Sequence, residues 1–336
     1  MTTLFGVPNV SEGRDRAAIA AIGEAFASTG ARLLAGHDDP DHNRSVYWLA
    51  ARPGELAEAL VAGAREIVAR VDLTRHEGRH PHVGALDVAP VVFVDPERRG
   101  AACAEALVLG ERLGDELGIP VFLYGLLGGG RARAELRRGG PAALAQRMAD
   151  GELQPDFGPP RPHPTAGATL VAARPPLIAF NVELAPPATE EDAKAIAARI
   201  RESGPEGLPG LRAIGLSLAA RGGLAQVSMN IEDHRAVPLA RAVEAVARHA
   251  RVAEAELVGL APEEAFAGLP EDLPIRNRAT LEERLSFMEV ERSSTGHGRP
   301  EAGRRRQDAG PDAPQAQGRR DAGQSPQDAG PDAPRR

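Results

Sequence analysis

Three histidines, His76, His80 and His82, lie within RHEGRHPHVGALDVAP (residues 75–90), directly ahead of an apolar run. A second polar cluster, DPDHNRSVY (39–47), supplies His42, Asn43 and Arg44. Imidazoles grouped in this way can ligate a metal, move protons near neutral pH or sit in solvent, and residue type alone leaves all three open. Pro81 excludes a helix through His-Pro-His, so His76 and His80 do not share a helical face in the manner of a zinc protease. In extended chain, His80 and His82 would project to the same side. Asp87 falls inside the apolar run, where a carboxylate needs a partner, and the nearest histidines and arginines in sequence are those of RHEGRHPH.

Two further segments carry candidate polar groups. Asn9, Ser11 and Glu12, with Gly13, stand at a strand-to-helix junction, where backbone N–H groups could receive an anion. DFGPPRPHPTAGATLVAAR (156–174) places Arg161 and His163 in a rigid Gly/Pro frame suited to clamping a flat ligand. LYGLLGGGRAR, from Leu123, is glycine-rich after a strand but lacks the GxGxxG spacing of a dinucleotide site.

Composition narrows the chemistry. The chain has 336 residues, a net charge of −7 and a single lysine, Lys194, in the polar helix TEEDAKAIAARI. That placement argues against a P-loop and against Schiff-base catalysis, and the acidic balance disfavours nucleic acid as a partner. One cysteine, Cys103, rules out an intrachain disulfide and a Cys-rich zinc site. No basic segment followed by an apolar run opens the chain, and no stretch approaches the length of a membrane span, so a cytoplasmic protein with no membrane partner is expected.

The elements that must position these groups follow from hydrophobic spacing. The first half reads strand TLFGVPN, helix RDRAAIAAIGEAFAS, strands ARLLAG and RSVYWLAA, helix GELAEALVAGAREIVARV and strand LDVAPVVFV. A helix (RRGAACAEALVLGERLGDEL) and a strand (IPVFLYG) follow, then a Gly/Pro/Arg-rich linking region to about Pro176. The second half repeats the order: LIAFNVEL, TEEDAKAIAARIRES, LRAIGLSLAA and LAQVSMNI around an ARGG turn, PLARAVEAVARHARVA, and ELVGL. Both halves read β-α-β-β-α-β, so the expected fold is α+β: two tandem ferredoxin-like subdomains (1–176 and 177–292) with a ligand cleft between them. Residues 293–336, in which QDAGPDAP occurs at 307–314 and again at 327–334, are expected to be a disordered low-complexity tail.

Taken together, VPNVSEGRD (7–15), DHNRSVYWLA (41–50), RHEGRHPHVGALDVAPVVFV (75–94), PVFLYG (120–125), LRRGG (136–140), PDFGP (155–159), GATLVAARPPLIAFNV (167–182) and LAQVSMNI (224–231) resemble the glutamate formimidoyltransferase family in its free-standing bacterial form. The resemblance spans residues 3–290 in order. It implies transfer of a formimidoyl group between N-formimidoyl-L-glutamate and tetrahydrofolate, a step of histidine breakdown, with the folate as co-substrate in a cleft between two α/β subdomains. It implies a catalytic histidine at His80, a folate-contacting loop from Gly158 to Gly167, and a homodimer. The animal enzyme's tryptophan before the last glycine of that loop is replaced here by Ala166, and a protein without the fused cyclodeaminase domain is expected.

Amine exchange on an amidine carbon requires a proton to leave one nitrogen and reach another, which a group titrating near 6.5 serves in both directions. His80 is the expected base and then acid, with Asp87 as an orienting partner; no metal is required. Arg44, Arg75, Arg79 and Arg174 are candidates for the substrates' carboxylates. The full set expected to bind substrate is Asn9, Ser11, Glu12, Asn43, Arg44, Gly84, Asp87, Gly158, Pro159, His163, Gly167 and Arg174. Two rivals stand beside this reading: a metal-dependent amidohydrolase using His80, His82 and His42 with Asp38, Asp39 or Asp41, and a non-catalytic folate or amino-acid sensor.

Overall fold

The computed structural model describes residues 3–78 and 81–286. Arg79, His80 and the expected tail at 293–336 lie outside the described residues. The described part falls within one compact unit, Met1–Arg292.

Chain order is β1 (Leu4–Gly6), β2 (Asn9–Val10), α1 (Arg16–Ala27), β3 (Arg32–Asp39), β4 (Arg44–Ala51), α2 (Leu56–Arg70), β5 (Leu86–Val92), α3 (Arg99–Leu117), β6 (Val121–Leu123), α4 (Arg133–Leu136), α5 (Gly140–Ala149) and β7 (Thr169–Arg174). It continues with β8 (Ile178–Leu184), α6 (Glu190–Ile200), β9 (Leu211–Leu218), β10 (Leu224–Ile231), α7 (Leu239–Ala247), β11 (Val252–Val258) and β12 (Ile275–Arg276). The result is an α+β architecture with two sheets. Among the described residues, one sheet has seven strands in the order β1-β4-β2-β5-β7-β6, with β3 on β4, and the other has five in the order β12-β11-β8-β10-β9.

Several starts and stops have local causes. Asp15 caps α1 by accepting the Ala17 and Ala18 amides, and Thr189 and Asp192 form a reciprocal capping box at α6. Helix α2 lacks a cap of its own. The buried Glu105 carboxylate on α3 accepts the Gly54 and Ala57 amides instead, tying the two helices together. The expected first strand is split at Val7-Pro8, since Pro8 has no N–H for the ladder.

One expectation is corrected. The stretch from Gly125 to Pro176 is not only a linker: α4, α5 and the buried strand β7 lie within it. Strand β7 inserts between β5 and β6, parallel to both, with Val88 opposite Leu170 and Phe122 also opposite Leu170. Helices α1, α2 and α3 cover one face of the first sheet through Phe26, Leu60, Ile67 and Leu109. Helices α4 and α5 supply Leu136, Leu144 and Met148 to a second core with Val88, Phe122, Tyr124, Leu170 and Ala172, on the side opposite α3. That same face also carries Phe5, Val46 and Trp48, which pack against Leu260, Leu281 and Leu285 from beyond β11.

In the second sheet Phe180, Val182 and Leu184 face α6 and α7. Their alternates, Asn181 and Glu183, are buried as well, on the opposite face. Glu183 is held there by Arg276 and by Arg221 at 2.7 Å, while Arg276 also reaches Glu254 at 2.9 Å and Glu256 at 3.2 Å.

Candidate active site

The site is assembled where β2, β4 and β5 enter the first sheet. The loop after β2 is locked in place by Ser11, whose hydroxyl donates to the Gly84 carbonyl at 2.8 Å and whose amide donates to Ala85 at 2.8 Å. Asn43, buried and left-handed at φ 48°, is the central connector. Its Oδ1 accepts the Gly13 amide at 2.9 Å, while its Nδ2 donates to the Glu77 carbonyl at 3.0 Å and lies 3.3 Å from His76 Nδ1. With Nδ1 as acceptor, the His76 proton is assigned to Nε2. Burial and the neighbouring His82 push His76 below the usual imidazole value, against a weaker pull from Glu12. The His76 and His82 rings meet edge to face, centroids 4.5 Å apart.

The second half of RHEGRHPHVGALDVAP closes this arrangement. Asp87 Oδ1 accepts the Val83 amide at 2.8 Å and Oδ2 pairs with Arg137, on the turn after α4. The sequence pointed to RHEGRHPH for this partner; among the described residues the charge opposite Asp87 comes from a segment 50 residues away.

Gly84 and Gly167 face each other in an isolated antiparallel bridge. A Cβ on Gly84 would collide with the Ala168 carbonyl, and one on Gly167, which sits at φ 69°, would collide with the Val83 carbonyl. Only glycine allows the 163–167 loop to approach so closely. His163 is built into that loop: its backbone exchanges two hydrogen bonds with Gly167 (2.8 and 3.0 Å), and its Nδ1 accepts the Ala166 amide at 3.0 Å and the Thr165 amide at 3.3 Å. Burial lowers its pKa, and an Nδ1 engaged as acceptor leaves Nε2–H as the ring's donor. Ala166 is buried in the core of the first sheet.

Ser11, Asn43, Arg44, Gly84, Asp87, His163 and Gly167 are therefore joined directly or through one neighbour. Gly158 is elsewhere: it packs where α3 ends, 2.6 Å from the Ile119 carbonyl to a built Cβ, with Pro159 half-buried beside it. Asn9 sits in β2 and donates to its own Val7 carbonyl at 3.2 Å. The anion site expected at the first strand-to-helix junction is corrected. Glu12 Oε1 accepts the Arg14 and Asp15 amides, Asn43 takes that of Gly13, and Asp15 takes those of Ala17 and Ala18, so these donors are already engaged.

Four arginines converge on the first sheet's face away from α1–α3. Arg44 opens β4, Arg174 closes β7, and Arg133 and Arg137 stand one turn apart on and just after α4. Arg44 has Arg137 and Asp87 in its electrostatic surroundings, and Arg133 has Arg174 and Arg137; burial lowers the pKa of both Arg44 and Arg133. Arg133 also lies over the Tyr124 ring, 5.8 Å from its centroid. The Nε atoms of Arg44, Arg137 and Arg174 and the hydroxyl of Tyr124 are buried with no hydrogen-bond partner among the described residues. Arg133, Arg137 and Tyr124 were missed in the sequence reading. The available signal was an i, i+4 arginine pair in RAELR, hidden in a segment read as a linker.

His42 is tied to Asp39 at 2.6 Å, and this bond and the neighbouring amide hold Asp39 below the usual carboxylate range despite its burial. Among the described residues no group of three His, Cys, Asp or Glu side chains is placed to hold a metal. No described helix is long and apolar enough to cross a membrane.

Residues 3–174 match the model of the formiminotransferase domain, N-terminal subdomain, and residues 179–271 match that of the formiminotransferase domain. The chain is 38% identical over 270 residues to formimidoyltransferase-cyclodeaminase of Sus scrofa, covering 76% of this chain and 49% of that protein. It therefore spans about half the length of the animal relatives. It is 35% identical to glutamate formimidoyltransferase of Streptococcus pyogenes, with 79% of this chain and 91% of that protein covered. It is 36% identical to glutamate formimidoyltransferase of Thermoplasma acidophilum, with 79% and 90% covered.

Proposed function

The chain belongs to the formiminotransferase domain family, and on that premise we propose that it transfers a formimidoyl group from N-formimidoyl-L-glutamate to tetrahydrofolate, as a step of histidine breakdown. The observation that carries this reading is the match of both family models in order along one chain, together with near full-length similarity to two proteins named glutamate formimidoyltransferase. The same proposal assigns residues 1–176 and 177–292 to two ferredoxin-like subdomains. The order β11-β8-β10-β9 in the second sheet, with α6 and α7 on one face, supports that assignment.

The folate nitrogen attacks the amidine carbon and gives up a proton; the glutamate nitrogen takes one as its bond to that carbon breaks. Proton transfer suffices for both steps, with no metal. His80, between the described residues Gly78 and Pro81, is the proposed base and acid. Its flanks support this role. On one side Asn43 holds the Glu77 carbonyl and His76, and on the other Asp87 holds the Val83 amide, so the chain on both sides of His80 is anchored. His163, with Nε2–H free to donate and the 163–167 loop pinned by Gly84, is assigned to orient the folate. Assembly as a homodimer belongs to the same reading.

The test is direct. Purified full-length protein given both substrates should form 5-formimidoyltetrahydrofolate, and His80→Ala should lower kcat by about 10² to 10⁴ with the fold intact by circular dichroism. Absence of product from the unsubstituted chain would refute the proposal. Full turnover by His80→Ala would remove the histidine from it.

A further inference from the structure

The arginine cluster carries a more specific assignment, which rests on the function proposed above. Arg44, Arg133, Arg137 and Arg174 bring four guanidinium groups to one face of the first sheet. Among the described residues only Arg137 has a carboxylate within ion-pair distance, Asp87. Three buried Nε–H groups, those of Arg44, Arg137 and Arg174, and the Tyr124 hydroxyl have no hydrogen-bond partner among the described residues. A buried, unsatisfied donor on a charged group is costly, so three such donors and a neutral hydroxyl converging from separate elements favour acceptors of opposite charge. The nearby acids of the second half are already engaged: Glu256 by Arg276 at 3.2 Å and Asn181 at 3.0 Å, Glu232 by Arg212 at 3.3 Å.

The position of the cluster selects the ligand. Arg44 follows Asn43, the residue that holds His76 and the Glu77 carbonyl. Arg137 pairs with Asp87, which in turn holds the Val83 amide next to His82. The cluster therefore shares its scaffold with the histidine segment. In N-formimidoyl-L-glutamate the α-carboxylate is on the carbon that bears the reacting nitrogen, and the γ-carboxylate is two methylenes further on. In tetrahydrofolate the glutamate carboxylates are separated from the reacting nitrogen by the whole aminobenzoyl ring. A carboxylate site adjoining the proton-transfer segment fits the first and not the second.

We propose that Arg44, Arg133, Arg137 and Arg174, with the Tyr124 hydroxyl, form the subsite for the two carboxylates of the glutamate substrate. Arg133 and Arg174, which have no carboxylate partner within the described fold, make the direct contacts. Arg137 is held by Asp87 and positions the pair.

The test uses the full chain and the variants Arg133→Gln and Arg174→Gln. For each, the KM values for formimidoylglutamate and tetrahydrofolate are measured, and L-glutamate binding is measured by calorimetry. The expected result is a rise of about tenfold or more in KM for formimidoylglutamate and an equal weakening of L-glutamate binding. KM for tetrahydrofolate should stay within about twofold, and kcat should change less than KM. Unchanged KM and unchanged glutamate binding in both folded variants would overturn the assignment. So would a rise in KM for tetrahydrofolate that disappears with tetrahydropteroate, which lacks the glutamate; the cluster would then serve the folate tail. An unsubstituted chain that binds L-glutamate through these arginines but transfers no formimidoyl group would leave the subsite standing and remove the proposed reaction. If Arg133→Gln fails to fold, Arg174→Gln, at the C-terminal end of β7, carries the test alone.

Discussion

His163 shows how the fold can set the state of a single ring. Partial burial disfavours its cation, and two backbone amides, those of Thr165 and Ala166, point at its Nδ1. Its folded pKa lies below the unfolded value of about 6.5. The unfolded chain therefore binds the proton more readily, so the stability this residue contributes is present above about pH 6.5 and is lost as pH falls through the lowered folded value. His163→Asn keeps an acceptor near the position of Nδ1 but cannot titrate. We expect the urea midpoint of the unsubstituted chain to fall between pH 7.5 and 5.5 by more than that of His163→Asn. Identical pH slopes would show that this ring does not titrate with unfolding. Seen in the sequence, His163 was one polar residue in a Gly/Pro loop, and its acceptor role became visible only with the loop closed on Gly84.

At the scale of elements, the second sheet carries a buried charge lattice that alternation does not announce. Glu183 is fully buried between Phe180-type neighbours on its strand, its carboxylate shared by Arg221 and Arg276, and burial raises its pKa against the pull of these arginines. Both arginines stay about a third exposed, at 37% and 31%, so the lattice opens toward solvent on one side. Removing the carboxylate takes away the buried anion of the lattice and leaves Arg221 and Arg276 sharing only the more exposed Glu254. Glu183→Ala is expected to lower stability by about 3 kcal/mol, the lower end for breaking a buried pair, measured by urea unfolding. A loss below about 0.5 kcal/mol would place the lattice with ordinary surface pairs. The elements themselves were legible to unequal degrees. RSVYWLAA and LIAFNVEL are long, β-branched and apolar, and become β4 and β8. TLVAAR follows a run of glycines and prolines and is only six residues long, so nothing local marked it as a strand; its burial between β5 and β6 makes it one.

For the molecule as a whole, the single tryptophan reports on how the two sheets are joined. Trp48 projects from β4 and packs with Phe5, Leu260 and Leu281, and Gly259, at φ 92°, brings the chain after β11 directly against its indole. A side chain at 259 would be strained in the left-handed region and would press on Trp48. Gly259→Ala should therefore cost on the order of 2 kcal/mol or more. Because Trp48, on the first sheet, touches the segment that follows β11 of the second, its fluorescence transition should coincide with that of far-UV circular dichroism in the unsubstituted chain. An earlier fluorescence transition would mean that the halves separate before either unfolds.

From residue order alone came the α+β class, most strands and helices, the histidine-bearing segment and the family likeness, because each rests on local spacing: period 2, period 3.6, and motifs read within about twenty residues. The partner of Asp87, the closure of Gly84 on Gly167, the loss of the expected anion site to Asn43, Glu12 and Asp15, and the meeting of Arg44, Arg133, Arg137 and Arg174 came only from tertiary structure. Apart from the local bonds of Glu12 and Asp15 and the neighbouring Arg133 and Arg137, those contacts join residues 30 to 130 positions apart. Which of many arginines faces a given carboxylate is decided by how strands are ordered in the sheet, and strand order leaves no mark in local periodicity.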